Sequence, residues 1–289
     1  MKVHIIGGGN LGVSIALGLA KFSQKHQITI TRRNTASILY LQELGITVAT
    51  DNTLAIQEAD LIILTIKPYQ VDTVLTEILP VITNKTIASA VSGLSIENLQ
   101  NKIGASHSAI RIMPNIAAQF GASATCIAFN EKNKEAAQPV VQLFQDLGTA
   151  PIIDEKLMDA ATVLAASGTA FALRYIRASM QAGIEIGFDW QTALAISAQT
   201  VKGAAEMLLE EKGHPEQLID RVTTPQGCTI AGLNEMEMHG FSSSLIRGIK
   251  TSLKQIFGRA TLKQRGQLML VVSRPLSFRL SGYPRYFGS

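Results

Sequence analysis

Residues 3–20, "VHIIGGGNLGVSIALGLA", decide the fold. Lys2 followed by apolar residues resembles the charged-then-apolar layout of an export signal. Gly7, Gly8, Gly9 and Asn10 interrupt the continuous apolar core such a signal needs, whereas a strand, a tight turn and a helix use them well. Gly7, Gly9 and Gly12 spell G-x-G-x-x-G between an expected strand and an expected helix. There Gly7 permits the tight turn, Gly9 lets a pyrophosphate approach the backbone, and Gly12 lets the helix pack on the strand. Asn10 and Leu11 open the helix, whose free N–H groups attract an anion. The stretch reads as a dinucleotide cradle.

Outward from the cradle, "KVHII", "QITIT", "TVAT", "LIILTI", "TIASAV" and "SAIRIM" are strand candidates that alternate with helical patterns. Such alternation implies right-handed crossovers and a mainly parallel sheet covered on both faces, a Rossmann-like α/β domain over 1–153. "ATCIAF" and "APIIDE" flank the helical "KNKEAAQPVVQLFQDLG" and are expected to extend one sheet edge, with Gly148 as the helix stop. From 154 to 265 the pattern turns to 3.6-residue periodicity, predicting an all-α domain with helices at 155–165, 167–187, 190–211, 228–238 and 242–264. Ala165, Ala166, Gly168, Ala170 and Ala172 thin a helix surface for close approach. Residues 266–289 leave the pattern as an atypical tail with four aromatics, to which the sequence assigns no function.

Bulk properties narrow the class. The 289 residues are 46% apolar, enough for a packed core, and exceed the usual size of one domain. Three of the four excess positive charges, Arg274, Arg279 and Arg285, lie in the acid-free tail, so the pI of 9.1 is largely a tail effect. The body lacks the basic, aromatic-interleaved face of a nucleic-acid binder. No apolar run reaches the roughly 20 residues of a membrane span. Two isolated cysteines, Cys126 and Cys228, argue against a disulfide framework and for a cytoplasmic location. Five scattered histidines give no metal signal.

At the end of the second strand, an NAD enzyme would place an acid against the ribose 2′-hydroxyl. This chain has Thr31, Arg32, Arg33 and Asn34 there, which offer hydroxyl, guanidinium and amide donors. Arginine matches a 2′-phosphate in bidentate geometry, so NADP(H) is preferred and NAD(H) possible.

"TIKPYQ", "RIMPN", "DEKLMDAATVLAASG" and above all "DRVTTPQGCTIAGL" resemble the motifs of the pyrroline-5-carboxylate reductases over residues 1–264. The resemblance implies reduction of a small cyclic imino acid, 1-pyrroline-5-carboxylate, to L-proline by hydride from NAD(P)H, the last step of proline biosynthesis. It implies a homodimer or higher homo-oligomer whose pockets are lined partly by the neighbouring subunit. It places Thr229 near the imine nitrogen, with Thr223, Thr224, Gly227, Cys228 and Ser167 around the substrate. The resemblance puts Lys67 and Pro68 beside the nicotinamide half of the crevice and Asn52 near the adenosine half; Ala90 and Gly93 line the same crevice, and Asn115 lies in the next loop, at the carboxyl end of a strand where ligands of open α/β sheets bind. Physically, "TTPQGCT" runs into a helix N-terminus, whose N–H groups and threonine hydroxyls can hold a carboxylate without an arginine. Asn115 has a second reading, as a turn residue bonding its own backbone.

Departures from the family pattern fall near the substrate. "AASGTAF" keeps Ser167 and Gly168 but has Thr169 and Phe171 where proline and tyrosine are usual, and Gln226-Gly227 replaces Gly-Gly. Two other readings stay open at this point. A β-hydroxyacid-type dehydrogenase would need a lysine base in the long helix, and 167–187 has none, although Lys202 lies on the next. The other is a non-catalytic NADP-binding sensor or interaction protein.

Overall fold

The computed structural model describes residues 1–272, with side chains to residue 256. β1 (Lys2–Ile6) pairs in parallel with β2 (Gln27–Thr31) on one side, and β3 (Thr47–Ala49) continues outward from β2. On the other side of β1 lie β4 (Leu61–Leu64), β5 (Thr86–Ser89) and β6 (Ser108–Met113), all parallel. The chain thus grows in one direction through β3 and then reverses beside β1, which opens a crevice at the carboxyl ends of β1 and β4.

Strand residues point alternately to the two faces. Val3 and Ile5 meet Ile15 and Leu19 of α1 (Asn10–Phe22) and Val140 and Phe144 of α4 (Lys134–Gln145). Ile6, Ile62 and Leu64 meet Val74 and Leu75 of α2 (Val71–Ile78) and Leu99 of α3 (Ile96–Ile103). Each fully buried side chain of this kind contributes about 2 kcal/mol. The expected Rossmann-like, mainly parallel sheet followed by helices is the observed architecture.

The far sheet edge departs from expectation. β7 (Ser123–Ala124) pairs with β9 (Gly148–Thr149) in a separate short ladder, while β8 (Cys126–Phe129) joins β6 antiparallel. "APIIDE" forms only an isolated bridge from Ile152 to Ile127, because Pro151 lacks the N–H a regular ladder needs. Gly148 is not the stop of α4, which ends at Gln145. It opens β9 at φ +138, where any Cβ would collide with the Ser123 backbone.

The helical half starts with α5 (Met158–Ala161), a π turn over Thr162–Ser167 and α6 (Gly168–Glu185), so the chain passes from one expected helix to the next without a break. α7 (Trp190–Glu211) packs on α6, closest where Gly183 faces Ala193. α8 (Pro215–Val222), which the sequence reading missed, precedes α9 (Cys228–Met238) and α10 (Phe241–Val272). Since α10 passes Gly266, the first residues read as tail are helical, and 273–289 lie outside the described residues. Among the described residues no helix is long and apolar enough to cross a membrane.

Candidate active site

The glycine-rich turn is built as its spacing demands. Gly7 sits at φ +113, and a Cβ there would press on the Thr65 carbonyl at 2.8 Å. A Cβ on Gly12 would run into the Gly7 carbonyl, whereas one on Gly9 would meet nothing within 4 Å of protein. Two glycines are therefore required by the fold, and the third faces open space. The turn is braced by Gly7 and Gly8 N–H groups donating to Thr31 O at 3.0 and 2.8 Å, and by the Thr65 hydroxyl donating to Gly7 O at 2.7 Å. Gly9 caps α1 with no side-chain partner, and the first turn holds no acid. The N–H groups of Asn10 and Leu11 belong to that first helical turn, where they have no partner within the helix. The cradle fits a dinucleotide pyrophosphate.

Along the rim, exposed Arg32 donates from Nη1 to Gly8 O at 2.9 Å, which sets a guanidinium beside the cradle, and Arg33 is exposed next to it. Thr31 is fully buried, and its hydroxyl donates to Asn52 Oδ1 at 2.6 Å, so it is not the free donor at the ribose that the sequence offered. Asn52 in turn donates to Glu77 Oε2 at 2.9 Å. Lys67 and Pro68 are exposed just past β4. The Ala90 N–H donates to Leu64 O at 2.9 Å, and Gly93 turns at φ +74 with open space around it. Asn115 reaches the same sheet edge, but its side chain is engaged with protein. Oδ1 accepts from Ala117 N–H at 3.0 Å, and Nδ2 donates to Ala165 O at 3.1 Å. Sequence reasoning missed Thr65 and Glu77, which brace this rim from strands and helices distant in the chain; the only signal was the position of Thr65 at the end of β4.

The threonine segment forms a tight turn. Gly227 N–H donates to Thr224 O at 3.0 Å, with Pro225 and then Gln226 at φ +58 between them, the geometry of a type II turn. Such a turn favours glycine where Gln226 stands. A Cβ on Gly227 would meet the Thr224 hydroxyl and force it to turn away. Gly227 caps α9 without a side-chain bond, and the first turn of α9 has no acid, leaving an anion-receptive helix end. The Thr223 hydroxyl donates to Ile219 O at 2.7 Å, while Thr224, Cys228 and Thr229 are exposed. Ser167 is half-buried in the π turn. Among the described residues α9 packs chiefly on α10. Cys126 is a separate, half-buried thiol whose pKa burial pushes up. Lys202 pairs with Glu206 at 3.5 Å on the exposed side of α7.

Residues 2–93 match the family model described as "NADP oxidoreductase coenzyme F420-dependent", and residues 155–256 match "Pyrroline-5-carboxylate reductase dimerisation". Pyrroline-5-carboxylate reductase 2 of Dictyostelium discoideum is 39% identical over 88% of this chain and 91% of its own length. The chain belongs to the pyrroline-5-carboxylate reductase family. Pyrroline-5-carboxylate reductase 1 of the same organism is 42% identical over 92% of this chain, which spans about half (51%) of that relative's length. The crystal structure of 1-pyrroline-5-carboxylate reductase from Streptococcus pyogenes superposes with a TM-score of 0.76 at 32% identity, covering 89% of this chain and 98% of that one. Family membership does not favour the β-hydroxyacid dehydrogenase or the non-catalytic sensor.

Proposed function

We propose that this chain reduces 1-pyrroline-5-carboxylate to L-proline with NADPH preferred over NADH, as a cytoplasmic homo-oligomer in the last step of proline biosynthesis. The observation that carries the reading is the cradle: Gly9 open to a ligand, an uncapped helix end and the Arg32 guanidinium converge on one spot. Arg32 and Arg33 hold the 2′-phosphate, and Asn52, fixed by Thr31 and Glu77, faces the adenosine half. Lys67, Pro68, Ala90 and Gly93 line the nicotinamide half.

When bound there, NADPH supplies a hydride for the imine carbon; with one proton to the ring nitrogen, the products are a secondary amine and NADP⁺. The Gly227–Thr229 helix end and the hydroxyls of Thr223 and Thr224 hold the substrate carboxylate. Thr229 orients the imine nitrogen by a hydrogen bond. A hydroxyl is a poor acid, so the imine enters protonated or water relays the proton. Cys228 and Ser167 complete the wall. The exposed apolar face of the helical half, matched by the dimerisation model, supports a pocket whose other side comes from the neighbouring subunit.

The test follows NADPH and NADH oxidation with pyrroline-5-carboxylate in wild type and Thr229→Ala. The expected result is faster turnover with NADPH and about a tenfold loss of kcat/KM in the variant, the worth of a hydrogen bond to a charged group. Equal rates for the two proteins would remove Thr229 from the mechanism, and an inert wild type would remove the reductase reading.

A further inference from the structure

Asn115 stands at the carboxyl end of β6 and is 9% exposed. Its backbone N–H donates to Ser123 Oγ at 3.2 Å, and its Oδ1 caps the short 3₁₀ helix Ile116–Phe120. Its Nδ2 crosses to the carbonyl of Ala165, fifty residues on in the sequence. Ala165 lies inside the π turn Thr162–Ser167, a wider winding that occurs mostly as a local bulge in helices, frequently at functional sites. The neighbouring Ala166 packs on the same buried layer as Ile66, the residue before Lys67. The Asn115–Ala165 bond therefore ties the π turn to the chain just past the carboxyl end of β6.

Four residues earlier, within β6, Arg111 anchors the base of the helical half. It is 6% exposed and pairs with Asp159 at 3.0 Å and Glu155 at 3.5 Å. Glu155 also accepts from Ile96 N–H at 2.6 Å. The ion pairs dock the segment, but they act at α5 and the turn before it. Among the described residues, the side-chain hydrogen bond that ties the end of β6 to the π turn is that of the Asn115 amide.

We propose that Asn115 is a positioning residue, whose amide N–H holds the Ala165 carbonyl and so fixes the π turn, and Ser167 with it, at a set distance from the nicotinamide half of the crevice. It acts through the π turn and not by contact with the coenzyme. This rests on the reductase reading above, since the spacing matters for hydride transfer, where an error near 1 Å can cost about a hundredfold in rate.

Asn115→Asp and Asn115→Ser separate the two duties of the side chain. Both keep an oxygen for the Ala117 N–H; an aspartate carboxylate has no donor for Ala165 O, and the shorter serine side chain ends one atom before the position of the amide nitrogen. The expected result is an NADPH Kd within about twofold of wild type and a kcat for imine reduction lowered tenfold or more. Hydrogen exchange should rise over 162–168 and stay unchanged in α1. A loss of NADPH affinity matching the loss of kcat would show a direct coenzyme contact and overturn the proposal, as would kcat and exchange equal to wild type. An inert wild type would sink the reductase reading alone, because the exchange measurement still decides the latch.

Discussion

The sheet half and the helical half bury their apolar residues to very different extents. In the sheet, Ile5, Ile30, Ile62 and Ile63 are fully enclosed between two helical layers. In α6, α8 and α9 no residue is buried, and in α7 only Ala193 and Ser197 are. Leu173, Ile246 and Met238 stand 58%, 57% and 82% exposed. Apolar surface on that scale marks an interface, and the family model matched across it is described as dimerisation. The contrast teaches that the two halves are stabilised differently: the sheet half closes its core within one chain, whereas the helical half leaves an apolar face for another copy to cover. The glycine cradle is braced by Thr31 and Thr65 of its own half, whereas Thr224 and Thr229 stand exposed.

The largest effect should come from charging that face. Leu173→Glu with Ile246→Glu should convert the oligomer to monomer by light scattering and remove nearly all imine reduction. NADPH affinity should remain within about threefold, since no cradle residue is touched. An active monomer would place the complete pocket in one chain. A folded monomer blind to NADPH would show that the cradle too depends on assembly.

Next in size is a change inside the cradle. Gly9→Ala puts a methyl where the protein has open space, so its melting midpoint should match wild type while NADPH affinity falls about tenfold to a hundredfold, the loss of one close backbone approach to the pyrophosphate. Gly12→Ala forces a methyl into the Gly7 carbonyl and should lower the melting midpoint as well. Calorimetry and fluorescence titration of the two variants separate a ligand-facing glycine from a packing one. Equal midpoints would show that the turn is looser than its contacts indicate.

Much of this contrast was legible in the sequence where local chemistry decides the outcome. The glycine spacing, the β-branched runs of β1 to β6 and the change of period after Asp154 each depend on neighbours within a few residues. Failures came where a distant partner decides. Thr31 looked like a free donor at a strand end, and only its encounter with Asn52 shows otherwise. Asn115 could be read two ways because Ala165 settles its amide. α8 is short and follows the polar "EEKG", although Pro215 in its first turn and Gln217 donated to by His214 N–H were available signs. The threonine turn was recognised by its motif, but the pocket proposed for it depends on an assembly that no local pattern in one chain encodes.

The smallest effect sharpens the comparison by probing the interior of the complete half. His4 lies in the central strand β1, 1% exposed, with neither ring nitrogen hydrogen-bonded among the described residues. Burial pushes its pKa from 6.5 down to about 4, partly opposed by Asp51. Below pH 6.5 the unfolded chain takes up a proton that the folded chain refuses until about pH 4, so stability is full above this window and declines as pH falls through it. The ceiling on that decline is on the order of 3 kcal/mol. His4→Val keeps a β-branched residue in the strand and removes the titration. Its urea midpoint should therefore change less between pH 7 and pH 5 than that of wild type, and it should be the more stable protein at pH 5 by about 1–2 kcal/mol. Because the effect arises in the sheet half, it should persist unchanged in the Leu173/Ile246 monomer. A wild-type slope that survives His4→Val would shift the acid lability to His26 and His107, whose pKa values burial also lowers. A slope that vanishes on dissociation would place it in the interface instead.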